Sequence, residues 1–179
     1  FTTRMGNAES LEHNEDYTVW TAKLRQDLKW SDGTPLNAND YYYSLQRVID
    51  PQYLQGKTTA FNTNAPILNA LECQRGDIGF DQVGIKLLDD YTIEFTLSTA
   101  CTDFDVRLAE SWGLPVPKHA IEKFGDDWTK PENIVVNGPY IPTAREEDVH
   151  LTLGPNEEYY GTPALEQIDL YMGTQNQLL

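Results

Sequence analysis

A strand, a tight turn and a capped helix follow one another between residues 17 and 50, and this order constrains the fold more than any other feature of the sequence. From Tyr17 to Arg25 apolar and polar residues alternate, which is typical of a half-buried strand. Asp32-Gly33 and Pro35 then predict a turn, because glycine tolerates positive φ and proline restricts its own φ. A helix is expected directly after this turn.

The predicted helix begins at Asn37, a favourable N-cap, and Asp40 completes a variant of the capping box. It is expected to end near Asp50, since Pro51 disfavours helical conformation in the residue before it. Its apolar stripe consists of Tyr41, Leu45, Val48 and Ile49. Tyr43 is predicted to lie on the polar face, either as an ordinary exposed aromatic or as a contact for a further part of the protein.

The rest of the sequence mixes short helical and strand patterns. Residues 52–64 show no periodicity and predict a long loop, a class of segment that is often functional. Helices are predicted at 66–73, 104–112 and 117–125, a hairpin at 83–97, and strands at 140–141, 149–153 and 167–172. The residues Arg75-Gly76-Asp77 are expected to form a plain turn.

Composition and charge restrict the class of protein. Hydrophobic residues make up 40% of the 179 residues, which is too many for a disordered chain, and the mean hydropathy of −0.52 indicates a hydrophilic surface. The net charge of −15 disfavours nucleic acid and anionic membrane surfaces as partners. It either attracts cationic solutes or serves the solubility of a secreted protein. No apolar run is long enough to predict membrane insertion.

No motif in the sequence predicts catalysis or a cofactor. The pairs Asp89-Asp90, Asp126-Asp127 and Glu146-Glu147 are expected to be solvated turn residues, so a hydrolase with paired carboxylates is disfavoured. Nucleophile elbows and glycine-rich phosphate loops do not occur. Residues 12–16 carry metal-ligand types, but a hydrated loop is the favoured interpretation. We therefore expect a binding module, not an enzyme, without a cofactor or a metal site.

Two cysteines, Cys73 and Cys101, leave two alternatives open. In an oxidising compartment a bridge between them would contribute about 3 to 4 kcal/mol. Alternatively, both are buried or half-buried thiols. They do not form a zinc site, because tetrahedral coordination takes four ligands and the three histidines are scattered.

Four segments, in order along the chain, resemble the bacterial extracellular solute-binding proteins of family 5. They are LRQDLKWSDGTPLNANDYYYSL (24–45), VGIKLLDDYTIEFTL (83–97), LPVPKHAIEKFGDDWTKPENIVVNGPY (114–140) and NEEYYGTPALEQIDLYM (156–172). The third is similar to the oligopeptide-binding branch. In the last, Tyr160 stands where tryptophan is usual.

The resemblance implies a mixed α/β fold, namely an incomplete lobe of the periplasmic-binding-protein type II class. Residues 18–136 would form the smaller, peripheral domain and residues 137–179 the first returning strands of the main lobe, with 1–17 as a leading segment. The amino-terminal strands and the carboxy-terminal half of the family fold would then be missing, so the chain would be a fragment.

The function implied by the resemblance is the capture of oligopeptides between two hinged lobes, as the substrate-binding component of an ABC importer with its permease as partner. The expected location is the periplasm or the outside of the cell, and a lipid anchor is compatible with it. The alternatives are another solute on the same fold, such as a nickel chelate or an oligosaccharide, and a self-standing interaction module.

The resemblance also implies candidate ligand contacts. In the family, a tyrosine in the loop after the Asp-Pro pair of the signature helix contacts the ligand. Alignment from Asp50-Pro51 places that position near Lys57 or Thr58, so the tyrosine itself is not retained. Tyr53 or Phe61 would replace it only by a different path of the loop. The four predicted ligand contacts are therefore Tyr53, Lys57, Thr58 and Phe61.

Overall fold

The computed structural model describes residues 6–54 and 65–172. The strands are β1 (Ala8–His13), β2 (Val19–Leu24), β3 (Ile85–Asp89), β4 (Thr92–Thr96), β5 (Tyr140–Glu146), β6 (His150–Pro155) and β7 (Ile168–Tyr171). The helices are α1 (Ala38–Ile49), α2 (Pro51–Leu54), α3 (Ala70–Arg75), α4 (Phe104–Leu108) and α5 (Lys118–Phe124). Short 3-10 helices span Phe80–Gln82, Ser111–Gly113 and Gly125–Thr129. No helix within these described ranges is long and apolar enough to cross a bilayer.

The chain divides into two compact units. The first unit contains the residues up to 26 and residues 37–116, and the second contains residues 27–36 and the residues from 117 onward. The strand, turn and helix between residues 17 and 50 are called the signature segment below. Its turn thus belongs to the second unit, whereas its strand and its helix belong to the first. The predicted division at residues 136 and 137 concerns the lobes of a longer protein, and it stays a prediction.

A four-stranded antiparallel sheet in the order β1-β2-β4-β3 organises the first unit. Trp20 pairs with Phe95 and Ala22 with Ile93 across β2 and β4, so apolar side chains from both strands enter one core. The predicted strand and hairpin are confirmed. Strand β1 was not predicted: it extends to His13, so the loop expected at residues 12–16 begins only at Asn14.

Helix α1 confirms the predicted cap and corrects one prediction. The side chain of Asn37 accepts a hydrogen bond from the backbone of the first turn, and Asp40 accepts one from the Asn37 N–H at 3.1 Å. Tyr43, predicted on the polar face, is only 8% exposed. The neighbouring Ser44 Oγ donates to the Leu114 carbonyl at 2.6 Å, so α1 is covered on a second side that periodicity alone does not reveal.

Two predicted helices are shorter than expected for local reasons. The helix expected at 66–73 begins only at Ala70, because Ile67 forms a bridge with Leu97 and Asn69 has a left-handed φ of 63°. The helix expected at 104–112 ends at Leu108, and the chain folds back at Gly113. A Cβ at Gly113 would lie 2.1 Å from the Leu108 carbonyl oxygen, so only glycine fits this close approach.

The second unit contains the antiparallel sheet β5-β6-β7 and the turn of the signature segment. The strands predicted past residue 137 are confirmed. Trp30 is 1% exposed, and its backbone N–H donates to the Thr34 carbonyl at 2.8 Å, which closes the turn. Asp32 lies 2.8 Å from His119, and Lys29 Nζ donates to Glu158 at 2.7 Å. These contacts fix the turn within the second unit.

Replacement of Asn37 by alanine tests the cap of α1. Because the variant loses an acceptor for the first-turn N–H groups, we expect a loss of about 1 kcal/mol in the free energy of unfolding. The matched control is Asn39→Ala on the same turn, which keeps both cap acceptors and the backbone bond to Asn37 and removes the exposed Asn39 side chain, whose Nδ2 also donates to Asn37 Oδ1 at 3.1 Å. Urea denaturation measures both variants, and equal losses would contradict the capping role.

The pair of Asp32 and His119 predicts a pH dependence. Burial raises the pKa of Asp32, but hydrogen bonds from Thr34 and His119 outweigh it and leave this pKa below its ordinary value of 3.8. The stabilisation is therefore present above 3.8 and is lost as the pH falls through the lowered pKa. We expect Asp32→Asn to lower the melting temperature at neutral pH and to have little effect at strongly acidic pH.

Thermal unfolding, followed by circular dichroism from neutral to strongly acidic pH, measures the difference in melting temperature between the parent chain and Asp32→Asn. Asp126→Asn is the control, since Asp126 is an exposed carboxylate of the same unit. A difference that is the same at neutral and at acidic pH would contradict the ionic origin of the stabilisation.

Candidate functional site

Of the four predicted ligand contacts, the described ranges include only Tyr53. Lys57, Thr58 and Phe61 lie outside the described residues. Tyr53 is on α2 and is 42% exposed, and Leu54 follows it as the last residue of that helix. Its ring meets the buried ring of Tyr43 edge to face, with centroids 6.1 Å apart and an interplanar angle of 88°. The structure therefore presents Tyr53 to solvent while one edge contact orients it.

Helices α1 and α2 fix this tyrosine pair. The guanidinium carbon of Arg47 is 5.7 Å from the centre of the Tyr43 ring, and Arg47 Nη1 donates to the Tyr43 hydroxyl at 3.4 Å. The junction between the helices is fixed by Asp50, whose N–H donates to the Gln46 carbonyl and whose carboxylate accepts from the Gln52 N–H at 2.9 Å. The position of Tyr53 follows from this buried junction.

A cleft of about 680 Å³ lies at the same junction. Its walls are α1 at Tyr42 and Gln46, residues 50–52 at the start of α2, and residues 76–82. Three carboxylates line it, those of Asp50, Asp77 and Asp81. Tyr42 and Phe80 form an aromatic wall, with ring centroids 5.2 Å apart at 76°. Carboxylates beside aromatic faces suit a cationic group such as an ammonium.

The raised pKa values of two neighbouring groups, Tyr42 and Cys73, are consistent with a negative potential in this cleft. Burial raises the pKa of the Tyr42 hydroxyl, and the charge of Asp81 raises it further. Burial likewise raises the pKa of the Cys73 thiol, with added contributions from Asp50 and Asp81. Both shifts indicate that the carboxylates disfavour another negative charge nearby. The cleft therefore favours cations over anions.

The cleft adjoins one of the four predicted ligand contacts, Tyr53. Asp50 and Gln52 line the cleft, and Tyr53 follows them directly. Asp77 and Asp81 were missed, because the sequence around them predicts a turn and carries no periodicity. Gly76 at φ 81° ends α3 and starts the return of residues 76–82 toward α1. The one signal in the sequence is the density of glycine and aspartate between residues 76 and 81.

The two cysteines correspond to the unbridged alternative. Cys73 and Cys101 are free and buried. The Cys101 thiol donates to Asp103 Oδ1 at 3.2 Å, and burial, followed by this bond, raises its pKa. Within residues 6–54 and 65–172, no cluster of histidine, cysteine, aspartate and glutamate could hold a metal ion.

Thiol titration tests the state of the cysteines. We expect slow reaction of both thiols with an aromatic disulfide reagent in the native protein, because the thiolate is the reactive form and burial disfavours it. Denaturant should make both thiols react rapidly. The intact mass under non-reducing conditions is the control, and a mass lower by the two thiol hydrogens would show a bridge instead.

Comparison with known proteins relates this geometry to a family. The model of the bacterial extracellular solute-binding proteins, family 5 Middle, matches residues 3–178. The periplasmic oligopeptide-binding protein OppA of Salmonella typhimurium is 41% identical over 155 residues, which are 87% of this chain and 28% of that protein. The probable deoxycholate-binding periplasmic protein YgiS of Escherichia coli is 34% identical over 157 residues, 87% of this chain and 29% of that protein.

A solved structure agrees in fold. Listeria monocytogenes OppA bound to peptide superimposes with a TM-score of 0.87 at 30% identity, covering 95% of this chain and 34% of that one. The chain thus spans less than a third of these curated relatives and about a third of the solved structure. Each likeness nevertheless covers most of this chain, from 87% to 95% of its length.

Proposed function

The chain belongs to the bacterial extracellular solute-binding proteins of family 5, and we propose that it is part of a protein that captures oligopeptides for an ABC importer. The observation that carries the proposal is the 41% identity to an oligopeptide-binding protein across 87% of the chain. The chain has the mixed α/β fold of these binding proteins over about a third of their length. It is therefore a fragment of that fold.

We assign residues 18–136 to the smaller, peripheral domain of the full protein and residues 137–179 to the first returning strands of its main lobe. This assignment rests on the order of the family motifs. The partner would be the permease of the importer. The periplasmic location of named relatives supports a place in the periplasm or on the outer face of the cell, where a lipid anchor would keep the protein near that permease.

The acidic cleft supplies the chemistry for one end of a peptide. An amino terminus or a basic side chain would meet Asp77 and Asp81, whose negative potential favours a cation. Tyr53 offers an exposed ring beside it for an apolar or aromatic side chain. We retain Lys57, Thr58 and Phe61 as proposed contacts in the following segment. Closure of a second lobe would then exclude water and strengthen these contacts.

A second candidate is a bile-acid-like solute. It is favoured by the 34% identity to the probable deoxycholate-binding protein. The electrostatics of the cleft oppose it, because deoxycholate is an anion and the cleft carries three carboxylates. Oligopeptides are therefore the better-supported solute.

Titration of the chain with a short peptide tests the proposal. Because one part of a two-lobed protein makes only part of the contacts, we expect no measurable heat at micromolar peptide. At millimolar peptide, we expect fast-exchange shifts of the backbone amides of residues 76–82 and of Tyr53 in a two-dimensional NMR titration. The Asp81→Asn variant should reduce these shifts, since it removes one charge of the cleft.

Three controls make this titration decisive. The same peptide with an acetylated amino terminus should shift the amides less, because it lacks the ammonium group. Asp126→Asn, in the second unit, should behave as the parent chain does. Deoxycholate should leave residues 76–82 unshifted. Shifts with deoxycholate but not with peptide would overturn the proposed function, as would tight peptide binding that ignores Asp81.

A further inference from the structure

The sheet of the first unit carries a half-open cavity of about 450 Å³. Its floor is formed by Leu24 and Phe95 of β2 and β4, and helices α1 and α4 supply walls through Leu45 and Leu108. The size lies within the range of about 300 to 1,000 Å³ that small-molecule sites occupy. It shares no lining residue with the acidic cleft, so it is a separate feature of the unit.

Small residues keep this cavity open. Ala22, Gly113 and the exposed Ala109 all line it. Gly113 cannot be enlarged, because its Cβ would collide with the Leu108 carbonyl oxygen. The Leu114 carbonyl accepts a hydrogen bond from the buried Ser44 hydroxyl at 2.6 Å, which ties the wall to α1. Contacts with other parts of the first unit thus hold the walls of the cavity in position.

The lining of the cavity contains few polar side chains, and hydrogen bonds hold two of them in place. Asn7 Nδ2 donates to the Tyr41 hydroxyl at 2.8 Å, which places one hydrogen-bonded pair at the amino-terminal side of the cavity. Asp105 is the carboxylate among the described lining residues, and the chain as a whole carries a net charge of −15. An apolar lining with one carboxylate accepts neutral or cationic molecules and disfavours anions.

We propose that this cavity is a binding site for a small apolar molecule, neutral or bearing one amine, of the size of two or three aromatic rings. The site goes beyond the capture of peptides, because it uses other residues and needs no second lobe. Burial of an apolar ring system against the partly exposed Leu11 and Leu108 and the exposed Leu114 supplies the binding free energy. Asp105 sets the preference for charge.

The probe that tests the site is N-phenyl-1-naphthylamine, which is uncharged and becomes fluorescent in apolar surroundings. Titrated into the 179-residue chain, it should give saturable binding with one site per chain. The peptide of the previous test should not displace it. Fluorescence that rises linearly without saturation would overturn the proposal.

A matched pair of alanine variants locates the binding. Ala109→Phe places a ring at the edge of the cavity and should weaken probe binding about tenfold or more. Ala100→Phe adds the same ring at another exposed alanine of the first unit, outside the cavity, and should leave the affinity unchanged. Thermal unfolding checks that both variants are folded. Equal affinities of the two variants would place the probe elsewhere and overturn the proposal.

Asp105→Asn provides a second, independent arm. The anionic analogue 8-anilinonaphthalene-1-sulfonate should bind more weakly than the uncharged probe to the parent chain. In the variant, its affinity should rise several-fold, while that of the uncharged probe stays the same, since asparagine has nearly the shape of aspartate and lacks its negative charge. An anion affinity that does not respond to the variant would remove Asp105 from the site and contradict the proposed preference for charge.

Discussion

The antiparallel pairing of β2 with β4 is the interaction on which the first unit depends. It joins two segments distant in sequence, and every strand of the sheet pairs with one of these two. Cross-strand pairs such as Trp20 with Phe95 then face α1 and α4, where Phe104 is fully buried. Disruption of this pairing would remove the surface against which the helices pack, so the cavity on the sheet would be lost as well.

Helix α1 packs against this sheet and also carries residues of the candidate site. Its buried Leu45 and Ile49 attach it to the core, and the same helix presents Tyr42 to the acidic cleft and Tyr43 to Tyr53. A helix with contacts on several sides has little freedom to rotate, so the cleft has a fixed aromatic wall. The ligand recognition proposed for the cleft would therefore depend on the packing of the core behind it.

Sequence reasoning succeeded where a local physical signal was sufficient. The alternation in β2, the hairpin of β3 and β4 and the cap at Asn37 each follow from residues close in sequence. It failed where the deciding contact is remote. Strand β1 depends on its pairing with β2, the burial of Tyr43 on packing that periodicity does not report, and the approach of Asp81 to Tyr42 on the path of residues 76–82. Each of these three features depends on contacts between residues that are far apart in the sequence.

The signature segment contributes to the cores of both units. Its strand and helix build the first unit, whereas its turn, with the buried Trp30 and the pair of Asp32 and His119, is fixed in the second. A segment committed to both cores has few side chains left for a solute. The groups proposed to suit a ligand lie instead just beyond its helix, at Asp50, Tyr53 and residues 76–82, which line or adjoin the acidic cleft. The residues that carry the family motif are therefore adjacent to, but different from, those proposed here to contact a solute.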